Sequence, residues 1–106
     1  MIHMPDRLQQ LIRFFEADPT DAFSAYGIAL EYLKQNNDAE GLAWLDRALD
    51  IDPDYVYAYF QKGQALAQSD RIDEARQVIQ NGIETAQRVD DPHGQSELQT
   101  LLDSIP

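Results

Sequence analysis

The sequence predicts an all-α chain, a stack of antiparallel helical hairpins with about six helices, and three observations carry that prediction. The first is a repeat: the stretch between Asp18-Pro19 and Asp52-Pro53 is written again 34 residues further on. At that offset Ala29 aligns with Gly63, Gly41 with Ala75, Ala48 with Gly82, Leu45 with Ile79 and Leu49 with Ile83, small on small and apolar on apolar. The second is period, because apolar residues recur at i, i+3, i+4 and i+7 and nowhere alternate as in a strand. The third is punctuation, with Asp-Pro pairs and short polar turns where helices must stop. A repeat of this length marks hairpins that bury their apolar faces only by stacking on the next.

From Asp6 to Ala17, residues Leu8, Leu11, Ile12 and Phe15 form the apolar stripe of a leading helix, with Pro5 at a position where its missing N–H costs nothing. Asp18-Pro19 stops it, and Thr20 or Asp21 can cap the next helix, about Ala22 to Gln35. Asn36-Asn37-Asp38 turns the chain, since these residues tolerate left-handed backbone, and a third helix runs from about Ala39 to Ile51. A fourth covers about Tyr55 to Gln68, Ser69-Asp70-Arg71 turns again, and a fifth covers about Ile72 to Arg88 before Asp90-Asp91-Pro92. The last, His93 to Ile105, carries Leu98, Leu101, Leu102 and Ile105 on one face and polar residues on the other, as a terminal cap needs.

At 106 residues this reads as one domain, 1–106, able to bury about two-thirds of its unfolded surface. Eight Lys plus Arg against 19 Asp plus Glu give a net charge of −11, which repels phosphate backbones and anionic lipid. Nucleic acid and membrane are therefore not expected partners. There is no cysteine, hence no disulfide framework or thiolate chemistry. The N-terminal residues form no secretory signal, and the expectation is a soluble, cytoplasmic protein. Met4 is an alternative start, which would leave His3 outside the chain.

Asp50, Asp52 and Asp54 have the spacing that opens a calcium-binding EF-hand loop, but the required glycine would fall at Tyr55 and the bidentate glutamate at Gln61. A solvated turn is the better reading. His3 and His93 lie at opposite ends of the chain, and no serine sits in a nucleophile elbow. Gly27, Gly41, Gly63, Gly82 and Gly94 are isolated and form no phosphate-cradling loop. The expectation is no enzyme, no cofactor and no metal.

The pattern Ala25-x-x-Ile28-Ala29-x-x-Tyr32, Gly41-x-x-x-Leu45-x-x-Ala48, Pro53, followed by Tyr59-x-x-Lys62-Gly63-x-x-Leu66, Ala75-x-x-x-Ile79-x-x-Gly82, resembles the tetratricopeptide repeat. The resemblance implies a right-handed superhelical stack: a leading half repeat at 6–17, whole repeats at 20–53 and 54–89, and a capping helix at 93–105. Phe14 where the repeat has a small residue, Lys62 for an apolar one and Gln87 for the closing proline are departures. The missing proline implies that the fifth helix runs on.

The resemblance also implies a concave groove lined by the first helix of each hairpin, which holds an extended or helical peptide. Its candidate residues here are Phe23, Tyr26 and Leu30 from one repeat and Tyr57, Phe60 and Gln64 from the next, with Lys34 and Gln68 beyond them. Relatives that clamp a chaperone's terminal carboxylate use Lys, Asn and Arg on these faces, and this chain has none of them at Tyr26, Leu30, Phe60 or Gln64. The expected function is a non-catalytic adaptor for a protein or peptide, neutral or basic rather than acidic. The alternative is a homodimer or larger homo-oligomer assembled through Phe14 or the Leu98–Ile105 helix.

Overall fold

The computed structural model describes residues 6–106, so the expectations at His3 and Pro5 lie outside the described residues. Among the described residues the chain forms six helices and no strand: α1 (Asp6–Ala17), α2 (Ala22–Lys34), α3 (Asp38–Ile51), α4 (Val56–Gln68), α5 (Ile72–Arg88) and α6 (Pro92–Ser104). Where an end departs from the expected one by a residue, a cap explains it. Tyr55, expected inside α4, is its N-cap, and Gln35, expected inside α2, is its C-cap. Contacts gather into two compact units that divide between Pro53 and Asp54, at the repeat boundary.

In the first unit α2 packs on both α1 and α3. Leu8 and Leu11 of α1 meet Ile28 in a buried cluster, with Ile12, Phe15, Tyr32 and Trp44 packed around it. Gly41 lets α3 come close to α2, since a Cβ there would lie 2.5 Å from Leu33 Cδ2 and 3.4 Å from the Ala29 carbonyl oxygen. Trp44, whose environment the sequence left open, packs toward α1: its ring meets Phe15 edge-on at 5.0 Å and carries the Arg47 guanidinium 4.3 Å above it. Glu31 is the buried charge of this unit. Its carboxylate, with the side chain only 10% exposed, is held by Arg7 of α1 at 3.2 Å and Lys34 at 3.4 Å.

In the second unit α5 packs on α4 and α6, and α4 also touches α6. Val56, Ile79, Ala86 and Leu98 form the buried cluster, with Tyr59, Phe60, Ile83, Leu101, Leu102 and Ile105 packed against it. Gly63 marks the α4–α5 crossing, where a Cβ would lie 2.5 Å from Ile79 Cγ1. Gly82 is pinched from two sides, by Tyr59 at 2.7 Å and Leu98 at 3.0 Å from the same notional atom. As the missing proline implies, α5 runs to Arg88, whose guanidinium reaches Asp54 at 2.6 Å. Arg76 donates to the carbonyl of Pro106, tying the end of the chain to α5.

Three turns repeat one construction. Asn36, Asp70 and Asp90 adopt φ of 60°, 60° and 58°, and each follows a helix C-cap and precedes the N-cap of the next helix. In each, two backbone N–H groups satisfy carbonyls of the outgoing helix, as in Asn37 to Tyr32, Arg71 to Leu66 and Asp91 to Ala86. Asn and Asp serve because their short polar side chains make the left-handed region less costly. The incoming ends are capped by the carboxylates of Asp21 and Asp91 and the amide of Asn37; at α5 Arg71 instead forks onto Glu74 at 2.9 and 2.7 Å.

Candidate functional site

Helical spacing puts Phe23, Tyr26, Leu30 and Lys34 along one side of α2, and Tyr57, Phe60, Gln64 and Gln68 along one side of α4. Their exposure separates them. Phe23 is 64% exposed and Tyr57 37%, so two aromatic rings at the same repeat position both face solvent. Tyr26 and Leu30 are half-buried. Phe60 is half-buried and packs on the second unit's core, so it is a wall of that core more than a free anchor. Phe60 is covered more than Tyr57 because α6 lays Leu98 into the core beside it.

The α4 side of the second unit is bordered by α6. At one end Tyr57 lies 6.4 Å from the ring of His93, which in turn meets Glu97 at 3.5 Å. Partial burial raises the Tyr57 phenol above its ordinary pKa, and the carboxylates of Asp91 and Glu97 add to the rise. At the other end a cavity of about 350 Å³ opens between Gln64, Ala67 and Gln68 of α4 and Leu101, Ser104 and Ile105 at the α6 end. None of the side chains lining it is charged. The sequence named Gln64 and Gln68 for this face. It did not place α6 there, having read that helix as a cap or a self-association surface.

On the first unit, Phe14 of α1 is 54% exposed. Leu98 is fully buried, while Leu101, Leu102 and Ile105 pack against the same core and stay half-buried, so the apolar face of α6 is covered only in part within its unit. Among the described residues no group of His and carboxylate side chains is arranged to hold a metal ion, and no helix is long and apolar enough to cross a membrane.

Comparison with known proteins bears on both the repeat and the fold. Family models for the TPR repeat and the tetratricopeptide repeat match residues 29–70 and 56–88. The crystal structure of a tetratricopeptide repeat domain protein from Salinibacter ruber is 35% identical, with 77% of this chain and 91% of that chain covered and a TM-score of 0.73. The TPR2B domain of yeast Sti1, in a complex with pHsp70, superposes with a TM-score of 0.86 at 20% identity over 91% of this chain and 77% of that one. The first TPR of Spaghetti (RPAP3), bound to the HSP90 peptide SRMEEVD, gives 0.74 at 18% identity over 92% and 77%. No curated protein matches the chain.

Proposed function

Since the chain belongs to the tetratricopeptide repeat family, whose repeats are generally non-catalytic interaction modules, we propose that it is an adaptor that holds a peptide segment or small domain, with the aromatic face of α2 in one unit and that of α4 in the other each a contact surface. The observation that carries this reading is the paired exposure of Phe23 and Tyr57. Rings that fold stability does not require to be exposed, recurring at one repeat position, are the kind of residue enriched where proteins meet. One structural neighbour is in a complex with pHsp70 and another is bound to an HSP90 peptide. An acidic tail such as SRMEEVD is nonetheless a poor fit for a chain of net charge −11 that lacks the basic clamp, and a neutral or basic segment suits it better.

Affinity capture from the native cell with the wild-type chain and with Phe23→Ser/Tyr57→Ser tests the reading. Both substituted rings are exposed, so the helical circular dichroism should be retained while partner recovery is lost. Equal recovery by the double variant would remove the site from these faces.

A second reading, self-assembly, is favoured by one observation, the 54% exposure of Phe14. Phe14→Ser should convert any dimer seen by sedimentation to monomer. A wild-type chain that stays monomeric at high concentration would dismiss it.

A further inference from the structure

Resting on that interaction reading, we propose that α4 and α6 form a two-ended seat for an extended peptide. One end takes a Lys or Arg side chain beside Tyr57, Asp91 and Glu97, and the other takes an aliphatic or aromatic side chain between Gln64, Gln68, Leu101 and Ile105. Tyr57, Gln64 and Gln68 fall within a narrow sector of α4, since they are seven and four residues apart on a helix of 3.6 residues per turn. Alongside, α6 brings His93 to the Tyr57 end and Leu101, Ser104 and Ile105 to the Gln68 end. The two helices therefore run side by side in the same direction, with unlike chemistry at their two ends.

Charge selects the occupant of the first end. The Tyr57 ring stands 6.4 Å from that of His93, which Glu97 meets at 3.5 Å, and the Asp91 carboxylate caps the same end of α6, so an aromatic face that a cation can approach and two carboxylates gather there. The chain's net charge of −11 adds long-range attraction for a basic segment and repulsion for an acidic one. Size and the apolar part of the lining select the occupant of the other end. A cavity of about 350 Å³, with Ala67, Leu101 and Ile105 in its lining, has room for one large apolar side chain, while the Gln64 and Gln68 amides are placed to hydrogen-bond the peptide's backbone.

The helix also sets the spacing. From Tyr57 to the middle of Gln64–Gln68 is roughly 14 Å at 1.5 Å per residue, which is about four residues of extended chain at ~3.4 Å each. Side chains four apart on an extended peptide point the same way. The recognised segment is therefore a basic residue and a large apolar residue with about three residues between them.

The test is selection from a library of random nine-residue peptides displayed against the full chain. The expected result is enrichment of Lys or Arg with Leu, Ile, Met or Phe four positions away. Glu97→Lys should weaken the best selected peptide at least tenfold and abolish the basic preference alone. Ser104→Tyr, which fills the mouth of the cavity, should abolish the apolar preference alone. Residues 97 and 104 are exposed, so neither change threatens the fold, and Tyr57→Ser and Gln64→Ala serve as second variants at the two ends.

Enrichment of acidic residues, indifference of the selected peptides to both substitutions, or self-association of the chain that these substitutions abolish would overturn the proposal. If capture from the cell depended on Phe23 and Tyr57 while the library returned no such pair, the adaptor reading would stand and the two-ended seat would fall. Loss of both results would end both.

Discussion

Arg88 and Asp54 stand one full repeat apart in sequence, and their side chains meet at 2.6 Å because α5 runs past the point where a proline would have stopped it. The hydrogen bond from Arg88 is the largest cause holding the Asp54 carboxyl below its ordinary pKa; desolvation opposes it, and the charge of Arg88 adds a smaller lowering effect. A carboxylate whose folded value is depressed stabilises the fold above its unfolded value and ceases to do so as pH falls through the folded one. The melting temperature of Arg88→Ala should therefore lie below wild type at neutral pH, and the difference should close in acid. A carbon-detected titration should also move Asp54 back up in the variant; an unmoved Asp54 would show that the pair does not form in solution.

The two hairpin crossings use glycine on opposite helices, and this makes their substitutions unequal. A methyl at Gly63 meets the fully buried Ile79, which has nowhere to go, so Gly63→Ala should cost about 1–3 kcal/mol by overpacking. A methyl at Gly41 meets the end of Leu33, which is only half-buried and can swing aside. There the gain in helix propensity, up to about 1 kcal/mol, offsets much of the clash. Urea unfolding of the two variants should show Gly41→Ala as the milder by a clear margin, and equal losses would contradict the crossing geometry.

At the turns, Asp70 sits at φ 60° with no glycine's freedom. Asp70→Gly should raise stability by roughly 0.5–1 kcal/mol by relieving the left-handed backbone, whereas Asp70→Ala should lower it by a similar amount. The same pair of substitutions at Asn36, one repeat earlier, should give the same signs in thermal melts. Opposite signs at the two positions would mean that the turns are not built alike.

Arg7 joins α1 to the nearly buried Glu31, while Lys34 reaches the same carboxylate from a more exposed position. Arg7→Ala strands part of a desolvated charge and should cost about 1–3 kcal/mol, and Lys34→Ala less than about 1 kcal/mol. Amide exchange would localise the effect, with protection lost first along α1 in the Arg7 variant.

The sequence carried the helices because every level agreed: period, turn chemistry and the spacing of small residues all return at one offset. It carried the site less well. A repeat register says that Phe60 and Tyr57 lie on one helix side, but which of them is covered depends on where the neighbouring helix lays its own side chains, and Leu98 of α6 decides that against Phe60. The cavity beside Gln64 and Gln68 was hidden for the same reason, since its far wall comes from the end of α6, where the repeat no longer constrains the residues. Glu31 gave no sign of its burial either: it reads as a solvent-facing charge until Arg7 arrives from α1.

The single indole, Trp44, lies wholly within the first unit, stacked under Arg47 and beside Phe15, while the second unit has tyrosine and no tryptophan. Emission excited at the red edge thus follows one half of the molecule and far-ultraviolet ellipticity follows both. The chain therefore comes with an optical means of asking whether its halves melt together, without a label or an added chromophore.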